Sequence, residues 1–156
     1  MIKINTVKYL SVFFLFILTG CEQNKKSTPP LIEPKCLTSQ SACKIKSTDG
    51  DFSILFNVDS IFTENEFEIV LVSHGHHQIK SISAHIEGKN MFMGKIPLFF
   101  KPEKNEKTIK YITKTMLGSC NEENMRWVIF FTINKIKESG EVVDEKFLVE
   151  FDSVRF

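Results

Sequence analysis

The chain has no apolar run long enough to cross a bilayer: the longest, Leu10–Leu18 (LSVFFLFIL), is about half of the roughly 20 residues a spanning helix needs. Nor does it carry an excess of one charge. Lys and Arg number 20 against 19 Asp and Glu, so nothing favours nucleic acid or an anionic surface as a partner. There is a single Trp, no internal repeat, and no segment that holds a helical apolar spacing beyond a turn or two. Catalytic signatures are missing too. Without a strained nucleophile elbow, an oxyanion motif or a Gly-rich phosphate loop, the chain reads as a binding protein rather than an enzyme.

What is present is alternation. Apolar residues recur with a period of two at Phe52, Ile54, Phe56 and Val58, at Phe67, Ile69 and Leu71, and at Ile82, Ala84 and Ile86, where Gly88 ends the run. The pattern resumes at Ile96, Leu98 and Phe100, with Pro97 marking an edge or bulge. It continues at Ile109 and Tyr111, at Trp127, Ile129, Phe131 and Ile133, and at Phe147, Val149 and Phe151. Such runs are strands with one face on a core. About seven of them, joined by polar turns such as Glu138–Glu141, predict an all-β fold, an antiparallel β-sandwich of immunoglobulin or cupredoxin type. Fifteen phenylalanines would supply much of its core.

Residues 1–20 read as a secretory signal, with Lys3 and Lys8 ahead of the short apolar stretch. The stretch ends in Leu18-Thr19-Gly20-Cys21, which resembles the bacterial lipobox. That resemblance implies cleavage before Cys21, a diacylglycerol on its thiol and an acyl chain such as palmitate on its amine. Several acyl chains hold a protein firmly on a membrane, so the mature chain would be a lipoprotein of the bacterial envelope facing the periplasm, on the inner or the outer membrane. Residues 21–35, rich in Gln, Asn, Lys, Ser, Thr and Pro, read as a tether. Residues 36–156 then form one domain, of a length that supports a single core.

Four cysteines less the lipidated Cys21 leave three in an oxidising compartment, where pairing is the rule. A Cys36–Cys43 disulfide would close a small loop at the start of the domain. Cys120 is then left over, and three fates compete for it: a buried inert thiol, a pairing with Cys36 or Cys43 instead, or a ligand.

Sulfur chemistry makes the third fate concrete. Cys120 and Met125 flank a polar loop, and Met91-Phe92-Met93 stands between Gly88 and Gly94; in an extended segment both of its thioethers point one way. Thiolate and thioether ligands suit Cu(I), whereas the competing reading of Met and buried Cys is gap-filling in the core. The stretch Gly88-Lys89-Asn90-Met91-Phe92-Met93-Gly94, followed by Leu117-Gly118-Ser119-Cys120 and Met125-Arg126-Trp127, resembles a pattern in small envelope proteins associated with Sco-type copper delivery to respiratory oxidases. The likeness covers about forty residues. It implies a Cu(I) chaperone or accessory factor with Cys120, Met91, Met93 and Met125 as ligands, Trp127 beside them, and a copper-delivery or oxidase-assembly protein as partner. The chain departs from Sco proteins in lacking their Cys-x-x-x-Cys motif, so a thioredoxin-like redox role does not follow.

A second constellation, His74, His76 and His77, lies between two predicted strands. It reads either as a polar turn or as a weak site for Cu(II), Ni(II) or Zn(II). Against the copper reading stands a metal-free interaction module that holds another envelope protein through strand edges or loops. Convergence of the four sulfurs separates the two, since a module of that kind disperses them through its core.

Overall fold

The structure, a computed structural model, describes residues 33–47, 50–75, 78–104 and 109–155. The signal segment, Cys21 and most of the tether lie outside the described residues, as do His76 and His77. Ten strands run in chain order: β1 (Lys44–Ile45), β2 (Phe52–Phe56), β3 (Ile61–Phe62), β4 (Phe67–Ser73), β5 (Gln78–Gly88), β6 (Lys95–Leu98), β7 (Lys101–Lys104), β8 (Ile109–Thr115), β9 (Asn124–Ile136) and β10 (Val142–Val154). No helix occurs among the described residues. The strands form two five-stranded sheets, ordered β1-β2-β4-β8-β7 and β3-β10-β9-β5-β6.

The fold is therefore an all-β sandwich, with ten strands where the alternation alone predicts about seven. The seven apolar runs are β2, β4, β5, β6, β8, β9 and β10. The other three are two to four residues long, too short for a period of two to register, and Lys101-Pro-Glu-Lys has no alternating apolar residue at all. One pairing is parallel, β3 on β10 through Ser153↔Ile61, while the rest are antiparallel. Pro97 sits on β6, an edge strand, where a missing N–H leaves no ladder bond unmade.

The inward residues of β9 set the core. Met125, Trp127, Ile129, Phe131 and Ile133 are all buried, two residues apart along one face. Rings from the opposite sheet and from β10 close over them: Phe131 stacks on Phe147 at 4.9 Å, Phe147 on Phe52 at 5.7 Å, and Phe56 packs on Phe151 at 5.6 Å. Of these rings, Phe52, Phe56, Phe131 and Phe151 are buried, and each contributes roughly 1.5–3 kcal/mol; Phe147 is partly buried. Lys135 ends the same inward row. Its buried ammonium lies 2.7 Å from Glu145 and 3.1 Å from the Ser47 hydroxyl, over the Phe52 ring; a buried cation is tolerable only when paired this way.

Residues 35 to 47 close the open side between the sheets. Lys35 bridges antiparallel to Phe56, the last residue of β2. Leu37 enters the core, Ser41 exchanges hydrogen bonds with Glu150 on β10, and Cys43 accepts from Ile54 N on β2. Cys36 and Cys43 are joined by a disulfide, with Cα atoms 5.6 Å apart. This strap occupies backbone edges of β2 and β10 that would otherwise be open to pairing with another chain.

Candidate functional site

One end of the sandwich carries all four sulfurs singled out above. β9 begins there, so Met125 is the outermost inward rung of the core, next to Trp127. The loop before it, residues 116–123, is anchored by the fully buried Leu117, whose carbonyl accepts from Glu64 N at 2.8 Å, while Arg155 N donates to Glu123 O at 2.8 Å. Held this way, half-buried Cys120 brings its Sγ to 3.4 Å from Met125 Sδ. The contact is that of a thiol donating to a thioether. It also sets two soft donors side by side.

Met91 and Met93 arrive on the neighbouring hairpin loop between β5 and β6. Its neck is fixed where Glu87 faces Lys95 across the ladder, their side chains 2.9 Å apart. The hydrogen bond from Lys95, offset by some desolvation and helped by His85, holds the Glu87 carboxyl below its ordinary 4.5. Beyond the neck, Gly88 pairs with Trp127 and leaves room that a side chain would fill. A Cβ there would overlap the Met91 carbonyl oxygen and come within 2.5 Å of Met125 Cε. At the other end of the loop Gly94 has a φ of 75°, a conformation that suits glycine. Met93 is partly buried against the core, its Cε 3.9 Å from where a Cβ on Gly118 would stand.

The four residues thus share one neighbourhood but differ in exposure. Met125 is buried and Cys120 half-buried, Met93 packs on the core, and the Met91 side chain is 40% exposed. A surface cleft of about 290 Å³, lined by Lys89, Asn90, Asn124, Met125, Arg126 and Asp152, reaches Met125 from outside. Arg126 and Asp152 form a two-point ion pair at its rim, at 2.8 and 3.3 Å. Trp127 is fully buried, and its indole N–H donates to the Ser153 hydroxyl at 2.8 Å. It is both the core tryptophan and the wall of the site.

The described member of the histidine constellation lies elsewhere. His74 follows β4 at the end of the sandwich remote from the sulfurs, its Nε2 2.8 Å from the Ser53 hydroxyl and its N–H on Asp51 O. β5, eleven residues long, separates that turn from Gly88 by about 35 Å at the usual strand rise. The sulfur site and His74 do not meet. Among the described residues no three His, Cys, Asp or Glu side chains come close enough to hold a metal, so soft methionine donors are what the Cys120 neighbourhood offers an ion.

Two features of this end escaped the sequence reading. Met116, 53% exposed, stands on the Cys120 loop and belongs to no alternating run. Gly88 reads from sequence as a strand breaker; only the packing shows it as the floor on which Met125 and the Met91 carbonyl rest.

No family model and no curated protein matches the sequence. Among solved structures, the chain is similar to a DUF4426 family protein from Pseudomonas aeruginosa PAO1, at 10% identity and a TM-score of 0.46 over 67% of this chain and 92% of that one. It is also similar to a Niemann-Pick type C2 protein from Japanese carpenter ant, at 17% identity and a TM-score of 0.39 over 72% of this chain and 97% of that one. Neither likeness bears on what this chain binds.

Proposed function

We propose that this chain is an envelope lipoprotein that binds Cu(I) at the Cys120 end of its sandwich and releases it by ligand exchange. One observation carries the reading: Cys120 Sγ and Met125 Sδ lie 3.4 Å apart beneath a glycine-bounded loop that bears two further thioethers. Cu(I) is taken here as cargo. Cys120 supplies the anionic donor and Met125 a buried neutral one, while Met93 and Met91 are the exchangeable ligands, Met91 being the most exposed of the set. A thioether releases a soft ion more readily than a thiolate, so exchange begins at the exposed methionine. Trp127 and Leu117 exclude water behind the pair.

The lipobox reading of Cys21 places this activity at a membrane facing the periplasm. The partner suggested by the motif resemblance is a copper-delivery or oxidase-assembly protein.

The test is a Cu(I) competition titration of the chain from Glu22 onward, with Cys120→Ser and Met91→Leu/Met93→Leu variants alongside. We expect one equivalent bound, loss of binding in the cysteine variant and weaker binding in the double methionine variant. Binding that is absent, or that survives both changes, makes the cluster a packing feature and leaves the metal-free interaction module as the reading to pursue.

A further inference from the structure

The sulfur-bearing end is also the end at which the tether joins the domain. Lys35 pairs antiparallel with the last residue of β2, and β2 runs toward the sulfurs, since Phe56 lies opposite Ile69 near the start of β4. The chain before Lys35 therefore meets the domain from that end. Only eleven residues separate Cys21 from the first described residue, Glu33. Fully extended they span at most about 40 Å.

β9 alone, thirteen residues long, spans about 43 Å. For the opposite end to touch a bilayer that holds Cys21, the tether would have to stretch fully back along the domain. The near end needs no such extension.

That near end is fitted for an apolar contact. Phe92, at the tip of the β5–β6 loop, is 84% exposed, Met91 beside it is exposed too, and Met116, Phe62 and Val154 are exposed on the other segments that close the same end. Of the cations nearby, Lys35 is matched with Asp59, Lys89 with Glu150, Lys95 with Glu87 and Arg126 with Asp152, while Arg155 donates to the Asn121 carbonyl beside the exposed Glu122 and Glu123. Such a surface has little to gain from anionic headgroups. An aromatic on a loop tip, at an end that exposes further apolar side chains and holds most of its cations in ion pairs, matches the interfacial zone of a zwitterionic bilayer.

We propose that the sulfur-bearing end faces the membrane, with Phe92 seated in the lipid interface. The inference rests on the anchor at Cys21 proposed above and does not require copper. An ion released from this end passes to an acceptor held in the same membrane.

The experiment uses the acylated full chain, metal-free, in phosphatidylcholine vesicles containing lipids brominated near the headgroup. Phe92→Trp and Val142→Trp variants are compared with the unsubstituted protein, whose buried Trp127 sets the baseline; Val142 is exposed at the opposite end, where β9 turns into β10. We expect severalfold stronger quenching for Phe92→Trp than for Val142→Trp, unchanged by high salt. Equal quenching, or none at position 92, overturns the inference, as does quenching that requires an added membrane protein. A chain that takes up no acyl label at Cys21 overturns it as well. If the Cu(I) titration fails while quenching at 92 persists, the orientation stands without the metal; if quenching fails while titration succeeds, the metal site stands and the orientation falls.

Discussion

Replacing Gly88 by alanine adds one methyl group where β5, the Met91 loop and the Met125 side chain meet. The new carbon overlaps the Met91 carbonyl oxygen and stands 2.5 Å from Met125 Cε. Met125 Cε is the end of a flexible side chain and can swing aside, but the carbonyl is backbone and yields only if the loop shifts. Gly88 is not among the positive-φ positions, so the effect is one of space rather than backbone strain. Overpacking of this kind destabilises by about 1–3 kcal/mol, which lowers the melting temperature by about 3–10 °C in a domain of this size.

Urea titration with an unchanged m-value is the assay. Gly118→Ala is the matched control, because its added carbon meets nothing nearer than Met93 Cε at 3.9 Å; its effect should stay within about 0.5 kcal/mol. Met125→Ala alone should destabilise by about 2–5 kcal/mol. Combined with Gly88→Ala, it should give less than the sum, since one methionine is removed from both accounts of crowding. A Gly88→Ala protein as stable as the parent would refute the placement of the loop against β5, and with it the convergence of the sulfurs.

Other outcomes follow from the same geometry. Serine at Cys36 and Cys43 opens a disulfide with a sequence separation of 7 and should destabilise by about 2 kcal/mol on loop-closure entropy, read by thermal unfolding. Ser153→Ala strips the Trp127 indole of its partner and should lower stability by about 1–3 kcal/mol, with a shifted tryptophan emission maximum as an independent sign. Because the folded carboxyl of Glu87 titrates below 4.5, its contribution is complete above the unfolded value and is lost as pH falls through the folded one. The Met91 loop should therefore loosen in acid, and Lys95→Ala should move the Glu87 carboxyl midpoint up toward 4.5 in an NMR titration.

The seven strands with apolar alternation were legible because each buries one face, and burial writes a period of two into the sequence. Phe52-Ser-Ile-Leu-Phe56 and Trp127-Val-Ile-Phe-Phe131 are examples in which the inward residues could be named in advance. β1, β3 and β7 left no such trace. They are held by the strands they pair with, β3 by the end of β10 and β7 by β8, and local composition carries no record of that. The sulfur site was legible as residue types but not as an arrangement. Nothing in the spacing of Cys120 and Met125 requires a 3.4 Å contact; that depends on Leu117 being pulled into the core and on Arg155 holding Glu123, both long-range events. Lys135 was invisible for the opposite reason, since a lysine in an apolar run looks like a surface residue until Glu145 and Ser47 are found beside it.

The strap formed by residues 35–47 has partners very late in the chain: Ser41 waits for Glu150 and Ser39 for Asp152. In a polypeptide that crosses a membrane N-terminus first, this segment emerges long before anything exists for it to dock on. Its two cysteines are only seven residues apart and meet by local diffusion, whereas Cys120 is still to be translocated. In a chain exported this way the order of emergence would sort three thiols without an editing step, committing the first two to each other before the third arrives.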